Sequence, residues 1–424
     1  MSRYLAVLVS MSVAGCAAEE VATVDQEAQL AFSRRHVTAD IYHYELVLPV
    51  GSGPNAAIRV HRVVREVAPF VPRRTTRAVA LLHGDFSTFV TNFAPTHGEP
   101  ASPAPGLAPY LAGRDIDVWG FDRRWTLPGA TDDISDFGTI GLAQAVADTR
   151  AGLALARTLR AAGGSGHGKI TLVGFSHGAQ LAYAVAGLEG GLPAGQRHVG
   201  AIAPLDWWGG YTADQEADRQ AACAAAAGEY QLVAEGITDS PNDLFITLGT
   251  LARSAPDEIT PFADFLGPIS NRDAMLLLLG QTWLLVPFTP WYHLISPQLD
   301  GDVAVGFRET DEAAATAWIA GATPHQSMLE AADFDAMLCG ESLPVPAPLS
   351  NIRVPIFYIG AAGGVGELGI PATTLTSSSD IQTLVVQRQP TELIVEDFGH
   401  GDLLFADDAP ALVWQPLASW IAQH

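Results

Sequence analysis

The stretch that decides the fold reads KITLVGFSHGAQL and occupies residues 169–181. Residues 170–173 form a continuous apolar run, which is typical of a short buried strand. A Gly-x-Ser-x-Gly pentapeptide follows with Ser176 at its centre, and small and apolar residues with helical spacing continue over 179–188. A sharp turn between a strand and a helix forces the central serine into a strained backbone conformation, which glycine neighbours tolerate best. The pattern predicts a nucleophilic serine at the tip of this turn.

The composition sets the size of the core and argues against one class of partner. The chain has 424 residues, of which 48% are hydrophobic, and its formal net charge is -23. This is enough for one large or two ordinary domains with a sizeable core. The negative charge argues against nucleic-acid binding, because little positive charge is available to neutralise a run of phosphates. The acidic residues are scattered along the chain, which indicates a solvated acidic surface.

The N-terminus has the features of an export signal. Arg3 is followed by an apolar segment at 5–13 and by small residues before Cys16, so residues 1–15 are predicted to be a secretory signal peptide. The small residues before Cys16 also resemble the lipobox of bacterial lipoproteins, which implies that Cys16 becomes the lipidated first residue of the mature chain. In the alternative interpretation the signal is an ordinary cleaved one, and Cys16 is discarded with it.

This signal determines the expected location. The apolar segment is too short for a permanent membrane span, so we expect contact with a membrane only through the lipid anchor. The protein is predicted to be exported, and to be either lipid-anchored to the bacterial cell envelope or secreted. Residues 16–38 lack periodicity and are predicted to form a lipidated tether.

Two cysteines, Cys223 and Cys339, remain after Cys16. An even pair in an exported protein predicts a disulfide, with two buried thiols as the alternative.

Strand and helix patterns alternate along most of the chain. Strands are predicted at 41–50, 57–67, 78–82, 116–121, 170–173, 199–205, 354–359 and 392–395, and helices at 141–159, 179–188 and 409–421. The signals between 207 and 351 are mainly helical. This order predicts an α/β protein with a doubly wound, mostly parallel sheet, built from 39–206 and 352–424 and carrying an inserted, mainly helical cap at 207–351.

Four features, in this order, resemble the α/β-hydrolase fold family and in particular its lipase-like and esterase-like members. They are His83-Gly84-Asp85 after an apolar strand, the pentapeptide around Ser176, the late helical insertion, and Gly399-His400-Gly401-Asp402 after the last strand. The resemblance covers most of residues 40–424. It implies a serine hydrolase that cleaves a carboxylic ester through an acyl-enzyme intermediate, and the N-terminal signal predicts that this hydrolase is exported.

The resemblance also implies the catalytic residues. A serine hydroxyl needs an oriented base before it becomes an effective nucleophile. Ser176 is the expected nucleophile, and His400, flanked by glycines near the end of the chain, is the expected base.

The acid that orients this base stays open. Asp206 stands directly after the strand at 199–205, where some lipase-like members carry their acid, although it could instead cap the next helix. Glu367 lies in the glycine-rich loop after the strand at 354–359, which is the commoner place. A third possibility is a residue such as Asp397 or Asp402.

An oxyanion hole requires preorganised N–H donors. The backbone N–H of His177 and that of Asp85, with Phe86 next, are the expected donors. The Asp85 side chain is unusual beside a site that develops negative charge, so we expect it to point away from the site or to discriminate against anionic substrates. No cluster has metal-ligand spacing and no phosphate-binding loop is present, so the sequence predicts neither a metal nor a cofactor.

The cap is expected to determine the substrate. Its aromatic residues suit an apolar acyl or aromatic group, although many of them are expected to form the cap's own core: Trp207, Trp208, Trp283, Phe288, Trp291 and Tyr292. A cap of this size favours a small or medium ester. The alternatives are an amide or lactone hydrolase that uses the same triad, and a non-catalytic surface lipoprotein that binds a ligand.

Overall fold

The computed structural model describes residues 32–94, 106–284, 289–341, 343 and 347–424. The predicted signal peptide at 1–15 and the predicted lipidation site Cys16 lie outside the described residues, as does most of the predicted tether.

A ten-stranded sheet forms the centre of the protein. Two further strands, β9 and β10, form a separate hairpin. In chain order the described strands are β1 Phe32–Thr38, β2 Ile41–Pro49, β3 Ala57–Ala68, β4 Val71–Pro72, β5 Arg77–Leu82, β6 Ile116–Asp122, β7 Ile170–Phe175, β8 Val199–Leu205, β9 Pro297–Asp300, β10 Val303–Phe307, β11 Ile356–Ala361 and β12 Ile381–Val386. In the main sheet their order is β1-β2-β3-β6-β5-β7-β8-β11-β12, with β4 paired to β3. Neighbouring strands in the part of this sheet that runs β6-β5-β7-β8-β11-β12 are parallel. The first strands pair antiparallel.

Helices cover both faces of this sheet. The α-helices are α1 Phe89–Phe93, α2 Leu107–Ala112, α3 Leu142–Ala162, α4 His177–Gly190, α5 Glu216–Ala234, α6 Asp243–Ser254, α7 Ala263–Leu266, α8 Asn271–Gly280, α9 Glu312–Ala320, α10 Met328–Cys339, α11 Pro371–Thr374, α12 Asp402–Phe405 and α13 Gln415–Gln423. Alternate residues of β5 show the two layers. Val79 and Leu81 belong to an apolar cluster with α1, α2 and α13. Ala80 and Leu82 belong to another with α3 and α4.

The predicted mostly parallel sheet flanked by helices is confirmed, and the differences lie at its edges. The sheet begins at Phe32, inside the segment predicted as a tether, because β1 pairs with β2. The last strand, predicted at 392–395, is wrong. That segment forms a 3₁₀ helix, Thr391–Glu396, and the edge strand is β12. β12 is half exposed and carries polar residues, so it lacks the apolar run that marks a buried strand.

The sheet order creates a crevice at the ends of the central strands. The chain passes from β5 to β6 on one side and then to β7 on the other side of β5. Such a reversal opens a crevice at the carboxyl ends of the strands, where ligands bind in α/β proteins. The loop after β5 and the turn after β7 meet at this point.

Between β8 and β11 lie the helices α5 to α10 and a β9–β10 hairpin that the sequence did not predict. We call residues 207–351 the insertion. It contacts the loops at the carboxyl end of the sheet: the Thr323 N–H donates to the Phe86 carbonyl at 2.8 Å, and the Tyr292 ring centroid lies 5.7 Å from that of His400. Cys223 of α5 and Cys339 of α10 form a disulfide with Cα atoms 4.7 Å apart. Among the described helices, each is too short or too polar to cross a bilayer.

Removing the disulfide should destabilise the fold. The bond closes a loop with a sequence separation of 116, and loops of that size contribute about 2–5 kcal/mol by restricting the unfolded chain. The double variant Cys223→Ser, Cys339→Ser should lose about this much free energy of unfolding in urea denaturation. A reductant should lower wild-type stability to the level of the variant and leave the variant unchanged. Equal urea midpoints for oxidised wild type and variant would contradict this.

Candidate active site

Ser176 occupies the junction between β7 and α4 in a strained conformation, with φ 57° and ψ -132°. The positions two residues before and two residues after it must be glycine. A Cβ on Gly174 would overlap the Gly178 carbonyl, and a Cβ on Gly178 would overlap the Leu82 carbonyl. A Cβ on Gly84 would lie 3.0 Å from that of Ser176. The loop after β5 and the serine turn therefore approach each other as closely as two backbones can.

His400 lies on the loop before α12 and is buried against the ring of Phe175, with centroids 4.5 Å apart. Its Nδ1 lies 2.8 Å from Oδ2 of Asp206. Both side chains are buried, with relative exposures of 2% and 0%. Since the carboxylate occupies Nδ1, the ring presents Nε2 as its remaining nitrogen.

The Asp206 carboxylate is held by backbone donors. It accepts from the N–H groups of Ala361 at 2.8 Å, Val365 at 3.1 Å and Gly366 at 2.8 Å. The glycine-rich loop after β11 makes this possible, because a Cβ on Gly364 would overlap the Asp206 carboxylate. Three N–H donors and an imidazole fill the hydrogen-bonding capacity of this buried carboxylate. The glycine-rich loop, which was one expected place for the acid, therefore binds the carboxylate of Asp206 through its backbone N–H groups.

The other candidate acids have different surroundings. Glu367 is exposed. Asp397 accepts from the N–H groups of Arg388 and Phe398. Asp402 accepts from Gly399, from Ser296 and Thr310 of the insertion, and burial raises its pKa to about 6. The structure brings Asp206, and none of these three, to His400.

Two backbone N–H groups near Ser176 are placed to bind an anion. His177 begins α4, so its N–H has no acceptor within the helix. The Gly84 carbonyl accepts from Arg123 Nη2 at 2.7 Å and from Ser87 Oγ at 3.0 Å. Because a trans peptide directs its C=O and N–H oppositely, the Asp85 N–H points away from Arg123. Within the described part of the chain, the N–H groups of His177 and Asp85 have no backbone acceptor.

A buried ion pair holds the loop after β5. Arg123 Nη1 lies 2.5 Å from Oε1 of Glu330, which comes from α10 in the insertion. The exposures of the two side chains are 5% and 0%. Trp125 Nε1 donates to the same oxygen at 3.1 Å. No local sequence pattern predicts this pair, because its members are 207 residues apart.

The Asp85 side chain pairs with Nδ1 of His177, which the sequence did not predict. Burial opposes charge on both groups, but their mutual attraction outweighs it, so the pKa of His177 is raised and the pKa of Asp85 is lowered. The ion pair joins the two residues that offer the N–H groups. This pair neutralises the Asp85 charge beside Ser176.

Two further carboxyls, Glu229 of α5 and Asp335 of α10, act electrostatically on His177. Burial, reinforced by Asp335, raises the pKa of Glu229 to about 7. Burial also raises the pKa of Asp335. Helical spacing alone could not reveal these groups, because they come together only when α5 packs against α10.

Aromatic side chains of the insertion surround His400. Its ring centroid lies 5.8 Å from Trp207 and 5.7 Å from Tyr292. These rings and Trp208 are nearly buried and form a cluster with Val365. Phe288, one of the aromatic residues expected in the cap, lies outside the described residues.

Similarity to solved structures supports the fold of this chain. No protein-family model matches the chain, and no curated protein matches it in sequence. A crystal structure of a candidate lipase from Sulfolobus solfataricus is similar over 93% of this chain and 99% of its own, with a TM-score of 0.63 and 14% identity. Epoxide hydrolase A from Mycobacterium thermoresistibile matches 92% of this chain and 98% of its own, with a TM-score of 0.45 and 15% identity. Together with the sheet order, the first likeness shows the α/β-hydrolase fold.

The ion pair between Asp85 and His177 should make stability depend on pH. The folded pKa of His177 lies above its usual 6.5, so the contribution is present below about pH 6.5 and is lost as the pH rises through the folded value. The folded pKa of Asp85 lies below its usual 3.8, so its contribution to stability is present above about pH 3.8 and is lost as the pH falls through the folded value. Asp85→Asn should therefore cost about 1–3 kcal/mol at pH 5.5 and clearly less at pH 9, measured by urea unfolding.

Asp407→Asn is the matched control, because Asp407 is exposed. It should change stability little at either pH. If the Asp85→Asn penalty were equal at both pH values, His177 would not carry the charge that the pair requires.

Proposed function

We propose that the protein is a serine hydrolase that cleaves a carboxylic ester through an acyl-enzyme, with Ser176 as nucleophile, His400 as base and Asp206 as the orienting acid. One observation carries the proposal. The buried Asp206 carboxylate lies 2.8 Å from Nδ1 of His400, in a fold whose serine occupies a strained strand–helix junction. Strain at a buried turn indicates a functional constraint.

The reaction follows from these roles. His400 Nε2 accepts the proton from Ser176 Oγ as the oxygen attacks the ester carbonyl, and Asp206 stabilises the imidazolium that forms. The N–H groups of His177 and Asp85 donate to the oxyanion of the tetrahedral intermediate. The imidazolium then returns the proton to the leaving alcohol. Water, deprotonated by His400, then attacks the acyl carbonyl. The bond between the acyl carbon and Ser176 Oγ breaks, the imidazolium returns the proton to Oγ, and the carboxylic acid leaves.

The surroundings of the site favour an apolar and uncharged substrate of small or medium size. Trp207 and Tyr292 offer apolar surface beside His400. Burial raises the pKa values of Glu229 and Asp335 on the His177 side, so this side tolerates added negative charge poorly and disfavours an anionic substrate. The insertion is proposed to act as the cap that encloses this substrate. Amide or lactone hydrolysis would use the same groups, so only a substrate panel separates these reactions.

Export is part of the proposal. The disulfide between Cys223 and Cys339 supports it, because such bonds persist mainly in oxidising compartments. We propose that residues 1–15 are removed and that Cys16 is lipidated, which anchors the protein to the cell envelope. Metabolic labelling with a palmitate analogue should mark the wild type and not Cys16→Ser. Equal labelling of the two proteins would refute the lipoprotein proposal.

A fluorophosphonate probe should react covalently with the wild type and fail to react with Ser176→Ala. On a panel of chromogenic esters, amides and lactones, Ser176→Ala and His400→Ala should each lower kcat by about 10⁴–10⁶-fold, because the residues act as a unit. His167→Gln changes an exposed histidine and serves as the control. A folded wild type that neither labels nor hydrolyses any member of the panel would favour the ligand-binding alternative.

Two acid variants test the identity of the acid. Asp206→Asn should lower kcat by about 10⁴-fold with little change in KM, because the amide cannot hold the imidazole in the required tautomer. Glu367→Gln should keep wild-type kcat, because Glu367 is exposed. Near-normal activity in Asp206→Asn would overturn the proposed triad, even if Ser176 still labels.

A further inference from the structure

Two imidazoles and a carboxylate converge on the side of the β2–β3 pair that faces α1. His43 and Glu45 alternate along β2, and Glu45 lies opposite His61 of β3. Residues two apart on a strand and residues directly opposite share one face of a sheet. The ligand atoms of the three side chains all lie within 4.8 Å of one another. Both histidines are fully buried against Phe89, whose ring centroid is 4.5 Å from that of His61.

The distances are close to those of a metal site. His43 Nε2 lies 2.9 Å from His61 Nδ1. Glu45 Oε1 lies 3.9 Å from the first nitrogen and 3.8 Å from the second. A tetrahedral Zn²⁺ ion with bonds of about 2.0–2.1 Å separates its ligand atoms by about 3.3 Å. Each separation differs from this by about half an ångström, which small side-chain rotations accommodate.

Asp122 holds one of these histidines in the form that a metal requires. Its Oδ2 lies 3.0 Å from Nε2 of His61. An N–H donated to a carboxylate fixes the imidazole tautomer, which leaves the Nδ1 lone pair directed at the cluster. Asp122 is in turn fixed, because its Oδ1 accepts from the Phe89 N–H at 2.6 Å.

We propose that His43 Nε2, His61 Nδ1 and Glu45 Oε1 bind a Zn²⁺ ion. The ion replaces the hydrogen bond between the two imidazoles, and His43 then carries its proton on Nδ1 instead of Nε2, so the ring stays neutral. A water molecule completes the tetrahedron of the ion. The sequence alone predicts no metal, because the ligands come from two neighbouring strands and show neither the helical nor the loop spacing of familiar zinc motifs.

The charges around the cluster permit this. Arg35 donates to Glu45 Oε1 at 2.7 Å, and Arg59 lies 3.6 Å from Asp122 Oδ2. The Arg35 side chain is 44% exposed. Exposed ion pairs are weak, so the incoming metal ion displaces the Arg35 guanidinium from Glu45. Glu45, which is 23% exposed, provides the path from solvent to the buried nitrogens.

The ion has a supporting role. It connects β2 and β3 through Asp122 to the N–H of Phe89, the first residue of α1. Residues 84–88, with the candidate donor Asp85, immediately precede that helix. Binding is therefore expected to raise stability, and the proposed chemistry at Ser176 does not require it.

The test titrates metal-free full-length protein with Co²⁺, a spectroscopic substitute for Zn²⁺. We expect one equivalent with the visible absorption of tetrahedral Co²⁺, displaced by Zn²⁺. At about 100-fold excess over Kd, Zn²⁺ should raise Tm by about 3 °C. His43→Gln and Glu45→Gln should weaken binding at least about tenfold. His167→Gln, at an exposed histidine, should bind like the wild type.

Glu45→Gln is the deciding variant. The Glu45 side chain is partly exposed and glutamine has the same shape, so we expect this variant to fold like the wild type. A wild type that binds no Co²⁺ at a tenfold molar excess overturns the proposal. So does unchanged binding by Glu45→Gln, which would place the ion elsewhere. These readouts do not involve ester hydrolysis, so failure of the zinc site and failure of the proposed hydrolase are distinguishable.

Discussion

The arrangement of the candidate site depends on one buried carboxylate. Asp206 directly follows β8. Its carboxylate accepts hydrogen bonds from three backbone N–H groups of the residues that end β11 and follow it, and it contacts Nδ1 of His400. A buried charge is tolerated only when its hydrogen-bonding capacity is filled, so these partners cannot be removed one at a time without a large cost. The glycine-rich loop is shaped by this requirement. A side chain at Gly364 would occupy the position of the carboxylate.

The insertion is attached to the rest of the fold by buried charges as well. Glu330 of the insertion pairs with Arg123 after β6. Asp402, two residues after His400 in the chain, accepts hydrogen bonds from Ser296 and Thr310 of the insertion. Removing one partner of such a pair costs about 3–5 kcal/mol, because the other charge stays buried. Displacing the insertion would expose both interactions at once. The position of the insertion therefore helps to fix the conformation of the loop that carries Asp85 and of the loop that carries His400.

The sequence predicted what local spacing encodes and left open what distant segments create. Ser176 and His400 could be named as candidates because glycines flank each of them. A strand precedes Ser176, whereas the strand predicted before His400 is a 3₁₀ helix. The acid remained a choice, since a glycine-rich loop after β11 has the same pattern whether it carries an acid or surrounds one. β12 was missed because a half-exposed edge strand has no continuous apolar run. The pairing of Asp85 with His177 was missed because it depends on how closely two loops approach.

This pairing changes how the electrostatics of the site should be understood. A lone Asp85 carboxylate would oppose an oxyanion beside it, since like charges at short range repel strongly where water is excluded. With His177 protonated, the two side chains are neutral together, and their N–H groups remain the local donors. The pKa of Glu229, raised to about 7, shows that further negative charge is poorly tolerated here. The proposed reaction develops negative charge beside carboxyls that are either paired, as Asp85 is, or have a raised pKa, as Glu229 and Asp335 have. This arrangement limits the repulsion that an anionic intermediate would meet in an acidic protein.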